Sequence, residues 1–189
     1  MPMDAAFTTF PTLTTERLIL RAIRRDDAEA MFTIRGDPVT MQYVGSLAHE
    51  SIDDTREWID MLLARYEARE GLRWIVTWKG GDDMALGSVS LHHFGPGRVE
   101  VGYDLNPAYW GQGIMTEAMR AVLDTVFGVL ELHRAEATID INNAASKALL
   151  LRLGFTYEGN LRERYPGANG FEDEHVFGLL RREWVGEKT

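Results

Sequence analysis

Three strand-like runs follow one another with almost no chain between them: LRWIVTWK at 72–79, MALGSVSLHHF at 84–94 and RVEVGYDLN at 98–106, separated by KGGDD and GPG. Links this short join only antiparallel neighbours, because a parallel crossover needs roughly a dozen residues or more. An antiparallel meander is therefore predicted at the centre of the molecule, and the remaining segments must pack on it.

Those segments read clearly. RLILRAIRR at 17–25 alternates into Leu18, Leu20 and Ile23, and DDAEAMFTI continues with acids in the first turn of a helix. A second helix is predicted over about 51–70, with Ser51 and Asp53 or Asp54 as caps, Trp58, Ile59, Leu62 and Leu63 on one face, and Gly71 as its end. After the meander come a helix from Ile114, a strand RAEATIDI at 134–141, a helix over 143–153, a Gly154–Phe155 step, and strand-like segments near 155–163 and 174–181. The polar, turn-rich RERYPGANGFEDEH is predicted to be a loop. The order implies an α/β (α+β) fold, a mixed sheet with helices on its faces. With 189 residues and no repeat or linker, one domain is expected over 1–189, its core about 14–184.

Composition narrows the function. No apolar run approaches the roughly 20 residues that cross a bilayer, and the net charge of −9 argues against nucleic acid, whose phosphates are met by clustered Lys and Arg. A cationic partner suits that charge, as does solubility alone. With no cysteine there is neither a disulfide framework nor a thiolate metal site, and MPMDAAFTTF lacks the pattern of a secretory leader, so the cytoplasm is the expected compartment.

The stretch NPAYWGQGIMTEAMRAV, 106–122, carries the first chemical signal. Pro107 cannot continue the strand ladder, and Gly111 and Gly113 permit positive φ. From Ile114 the apolar residues Ile114, Met115, Ala118, Met119, Val122, Leu123, Val126 and Phe127 keep helical spacing, so the turn lies at a helix N-terminus. Free N–H groups there suit a phosphate or pyrophosphate, although a tight strand-to-helix connection would look the same. A dinucleotide fingerprint would need glycine where Thr116 stands, and GxxxxGK[ST] is absent. A second signal is Asn143-Ala144-Ala145-Ser146, with Asn143 as a helix N-cap and Ala145, Leu149 and Leu153 toward the core.

Together, EVGYDLNPAYWGQGIMTEA and NNAASKALLLRLGF resemble the GNAT superfamily of acyl-CoA-dependent N-acetyltransferases, and within it the RimJ/RimL-like branch acting on ribosomal-protein N-termini. TERLILRAIRRDDAEAMF resembles the family's opening, so the likeness covers nearly the whole chain. The family loop [QR]xxGx[GA] maps onto Trp110, Gly111, Gln112, Gly113, Ile114 and Met115, with Trp110 replacing Gln/Arg and Met115 replacing Gly/Ala; the ribosomal branch commonly reads WGxG.

The resemblance implies a sheet of about seven strands and about four helices, splayed around acyl-CoA. Amides from Gly111 to Thr116 would cradle the pyrophosphate, Asn143 would bond the pantetheine arm, and the arm would pair with backbone around Asp104 and Leu105. Glu100 matches the usual base position, and Glu163 is a second candidate. A strand amide near Leu105 would face the developing oxyanion. Leu150 stands where many relatives carry a tyrosine acid, so Ser146 takes that role, with Tyr157 and Tyr165 as outside candidates. His92 and His93 should face opposite sides of the sheet, one toward the acceptor, and no metal is expected because no third ligand is evident. Trp58, Trp74 and Trp78 read as core or cleft wall, and Glu172, Asp173 and Glu174 as an attraction for a cation or a solvated charge run.

The expected activity is transfer of acetyl from acetyl-CoA to a primary amine by direct attack in a ternary complex, the acceptor being a protein or peptide N-terminus. A small antibiotic- or polyamine-like amine, a non-catalytic acyl-CoA-binding module and a dinucleotide-dependent oxidoreductase stay open, as does a homodimer.

Overall fold

The computed structural model describes residues 6–44, 46–167 and 170–186. The strands are β1 (Leu13–Thr14), β2 (Leu18–Ala22), β3 (Leu72–Trp78), β4 (Gly87–Gly95), β5 (Arg98–Leu105), β6 (Arg134–Asp140), β7 (Thr156–Gly167) and β8 (Gly170–Leu180). The helices are α1 (Ala28–Arg35), α2 (Pro38–Met41), α3 (Ile52–Glu67), α4 (Ile114–Asp124), α5 (Ala144–Arg152) and α6 (Arg181–Gly186). The strands form one sheet in the order β1-β2-β3-β4-β5-β6-β8-β7, eight rather than about seven, because Leu13–Thr14 adds a short edge pair to β2.

Two expectations change. The segment predicted as a loop belongs to a long hairpin: Tyr165 pairs with Glu172 and Gly167 with Gly170, across a register shift between Leu161 and Tyr165 where Glu163 takes φ 51. Polar composition misled because this ribbon's alternating residues are largely solvated. The histidine pair does not split cleanly across the sheet either. A bulge between His92 and Gly95, with His93 at φ 49, turns both imidazoles toward Glu100.

Strand alternation gives the sheet two unlike faces. One carries Trp74, Val76, Val89, Leu91, Val99, Val101, Ala135 and Ala137, packed against α4 through Ile114, Ala118, Met119 and Val122, all 3% exposed or less. Each such large side chain contributes roughly 1.5–3 kcal/mol. The other face is covered by α1 and α3 around β3, through Met31, Ile34, Ile59 and Ile75. From Arg73 of β3 onward the same face presents Ser88, Ser90, His92, Glu100, Asp104, Thr138, Asp140 and Glu174, a polar row that no helix of the described residues covers fully. That uncovered strip positions the site.

Candidate active site

β5 and β6 are the only parallel neighbours in the described sheet, and their pairing covers just Arg98–Glu100 against Arg134–Glu136. Beyond it β5 stays with β4 as far as Leu105, and β6 stays with β8 as far as Asp140, so the sheet opens in a wedge. A cleft of about 280 Å³ occupies the opening, lined among others by Glu100, Tyr103, Asp140, Asn143 and Ser146.

At the wide end of the wedge lies the start of α4. Gly111 and Gly113 take φ 73 and 75, with Gly113 as N-cap. The amides of Ile114, Met115 and Thr116 come too early in the helix for an intrahelical acceptor and point out of its end. A Cβ on Gly111 would meet nothing within 4 Å, so this glycine serves the turn's φ, and the space above it is open. The helix end is fixed from outside the loop: Glu117 accepts from the Thr15 hydroxyl at 2.5 Å and the Arg17 amide at 2.9 Å, and Arg17 donates to the Gln112 carbonyl at 3.2 Å. Arg152 of α5 reaches Thr116 Oγ1 at 3.5 Å, bringing a positive charge to the same place. Free amides and an arginine brought to one place suit the phosphate-bearing end of a ligand.

The edge of β5 follows from alternation. Asn106 donates its amide to Leu86, so the backbones of Asp104 and Gly102 face β4 while those of Leu105, Tyr103 and Val101 face the wedge. The Leu105 carbonyl already accepts from Trp110 Nε1 at 2.8 Å, leaving its amide toward the opening. The Asp104 carboxylate accepts from Ser88 at 2.9 Å and Arg73 at 3.3 Å on the polar face. Trp110 is half exposed and braces the loop, and Gln112 Nε2 donates to the Ala108 carbonyl.

On the α4 and α5 side, Asn143 caps α5 by accepting from the Ser146 amide at 2.9 Å. This holds Ser146 Oγ at 2.5 Å from the Tyr103 hydroxyl. Burial pushes the Tyr103 phenol well above its usual range, although the bond to Ser146 opposes it, so the phenol keeps its proton.

On the polar side, Glu100 accepts from Thr138 Oγ1 at 2.6 Å and from His93 Nδ1 at 2.8 Å, with His92 Nε2 at 3.9 Å. Burial pushes the Glu100 carboxyl up, but these hydrogen bonds and the imidazoles outweigh it, leaving the group below its ordinary range and ionised at neutral pH. Burial pushes the His92 imidazole down to about 4 against the pull of Glu100, so it is neutral. His92, His93 and Glu100 bring three ligand atoms within 4.8 Å of one another, a convergence the bulge creates and the sequence argument against a metal did not contain.

The cleft's far wall is acidic. Asp140 is buried and accepts from the Tyr165 hydroxyl at 2.5 Å, and that hydroxyl also reaches Glu172 at 3.2 Å. Burial, then the Glu100 and Asp140 carboxylates, push Glu174 up against the pull of Arg164. Glu163 stands apart: it is exposed, its amide is held by Asp173 at 2.8 Å, and it does not line the cleft. Tyr157 is also exposed and meets His175 and Phe177 edge to face. Sequence reasoning missed Tyr103, Asp140, Arg35 and Arg73 as cleft residues. Tyr103 was within reach, since alternation from Val99 and Val101 puts it on the α4 face three residues before the loop.

Residues 17–156 match the model of the acetyltransferase (GNAT) domain, and the chain belongs to this family of N-acetyltransferases. It is 34% identical over 175 residues to an uncharacterized N-acetyltransferase, YoaA, of Bacillus subtilis, covering 91% of this chain and 98% of that protein. It is 36% identical over 110 residues to a putative ribosomal N-acetyltransferase, YdaF, of the same organism, covering 57% and 60% of the two chains. A solved spermidine N-acetyltransferase from Vibrio cholerae, in complex with CoA and spermine, superposes with a TM-score of 0.80 at 21% identity, covering 90% of this chain and 99% of that one.

Proposed function

We propose that the protein transfers acetyl from acetyl-CoA to the α-amine of a protein or peptide N-terminus. The observation that carries this reading is the placement of Glu100 and the Tyr103–Ser146 pair on opposite faces of the wedge between β5 and β6, both lining one cleft. Acetyl-CoA supplies the activated acyl group and a thiol leaving group. The α4 amides would hold its pyrophosphate, the Leu105 amide and the Asn143 side chain its arm.

The protein's own part is proton handling and orientation. A free α-amine has a pKa near ~8, so a useful fraction is neutral at pH 7 to 8, whereas a lysine amine near ~10.4 is almost wholly protonated. Glu100, held as a carboxylate, orients the amine and receives the proton released as the amide bond forms, directly or through a water. With the Tyr103 phenol donating to Ser146, the serine proton is free to face the departing sulfur. A phenol held above the thiol range does not itself ionise, so the pair works as an oriented donor to developing thiolate charge.

The Glu100, Asp140 and Glu174 cluster supports a second reading, a small polycationic amine as acceptor. A peptide with a free N-terminus and one internal lysine, offered beside spermidine, separates the two. Acetyl found on the peptide α-amine by fragment mass supports the first reading, and turnover confined to spermidine contradicts it.

A further inference from the structure

Opposite the acidic wall, the cleft is bordered by two arginines. Arg35 closes α1 and Arg73 lies in β3; their guanidinium carbons sit 4.8 and 4.9 Å from the centre of the Trp58 ring on α3. Arg35 is only 6% exposed; among the described residues its side chain makes one hydrogen bond, to Ser46 Oγ at 3.0 Å, and its Nε is buried without a partner. Arg73 bonds Ser88 and Asp104, and its Nε is likewise buried and unpartnered. Among the described residues, Asp104 is the one carboxylate that both arginines feel, and Arg65 adds a further positive charge near Arg73. Two buried guanidinium groups on one indole, with a single carboxylate between them, leave a positive charge uncompensated. Arginine does not give up its proton to relieve this, so the arrangement is completed only by an anion from outside. The planar donor edges suit a carboxylate.

We infer that the acceptor carries a carboxylate as well as its amine, and that Arg35 and Arg73 receive that carboxylate while the amine sits toward Glu100. The inference rests on the transferase reading above and narrows its substrate: the cleft is charged negative at one wall and positive at the other, so it selects a dipolar acceptor and repels a polycation at the arginine end. The carboxylate could be an acidic side chain next to a peptide N-terminus or the α-carboxylate of a free amino acid.

The test is steady-state acetylation by the full chain of matched pairs: a peptide beginning with glutamate against one beginning with glutamine, and free amino acids against their amides, with spermidine alongside. The carboxylate member of at least one pair should have a kcat/KM about tenfold higher or more, mostly through KM; the pair that shows it identifies the source. Arg35→Gln should erase the difference and Arg35→Lys should keep part of it, with acetyl-CoA affinity unchanged in both as the check on folding. Equal turnover within every pair, a preference that survives Arg35→Gln, or spermidine exceeding every carboxylate acceptor would overturn the inference while leaving the transferase intact. Acetyl-CoA binding without turnover of any amine would overturn both.

Discussion

The Tyr103 hydroxyl lies 2.5 Å from Ser146 Oγ, a contact made between a strand bordering the wedge and the first turn of the helix that Asn143 caps. The pair predicts a shared effect. Tyr103→Phe and Ser146→Ala should each lower kcat by about 10²-fold or more with little change in acetyl-CoA affinity, and the double variant should be no worse than the weaker single one, as expected for groups acting as a unit. Additive losses in single-turnover kinetics would mean that the two act separately.

Glu100→Gln should cost roughly 10²-fold in kcat/KM while leaving calorimetric binding of acetyl-CoA in place. A variant that keeps wild-type turnover removes this carboxylate from the chemistry.

The pH profile follows from the same site. Glu100 is held below its ordinary range and His92 down at about 4, so neither titrates between pH 6 and 9. With an α-amine acceptor, kcat/KM should rise through a single ionisation near ~8 and level off; a lysine acceptor would keep it rising toward ~10.4. An inflection near ~6.5 would assign proton transfer to an unperturbed histidine.

Gly113 is an N-cap at φ 75. Gly113→Ala places a Cβ in that conformation at a cost of about 1 kcal/mol and tilts the amides that follow. Acetyl-CoA affinity should fall about tenfold, with only a small drop in melting temperature. A loss of stability without a loss of affinity would show that the turn matters to the fold alone.

How much of this was legible in the chain depended on the range of the signal. The meander could be read because KGGDD and GPG leave its strands no other pairing, and α4 could be read because Ile114, Ala118, Met119 and Val122 repeat with helical period beside two glycines. Both arms of the last hairpin were read near 155–163 and 174–181, but their extension toward Gly167 and Gly170 was hidden because its solvated residues mimic a loop and its register shifts near Glu163. Glu100 was found by its place in β5, but its partners were not, since a bulge decides where His93 points and bulges leave little trace in pattern. Arg35 and Arg73, 38 positions apart by their numbers, meet only because α1 and α3 pack across β3.

Away from the cleft, Arg21 and Asp27 form a buried two-point ion pair at 2.7 and 2.9 Å, with side chains 7% and 6% exposed. Asp27→Ala leaves the guanidinium with only the half-exposed Asp83 carboxylate and should destabilise by about 3 kcal/mol in denaturant titration. Catalytic constants at low temperature should be unaffected; their loss would link this pair to the site.

The central claim is acetyl transfer to an amine at the wedge between β5 and β6, and the most direct measurement follows both products of one reaction. Because the chain contains no cysteine, a thiol reagent reads only released CoA. With acetyl-CoA and an N-terminal peptide, thiol release should be matched mole for mole by acetylated α-amine, and both should fall together by roughly 10²-fold in Glu100→Gln. Thiol release without an acetylated amine, or tight binding of acetyl-CoA with neither product, would contradict it.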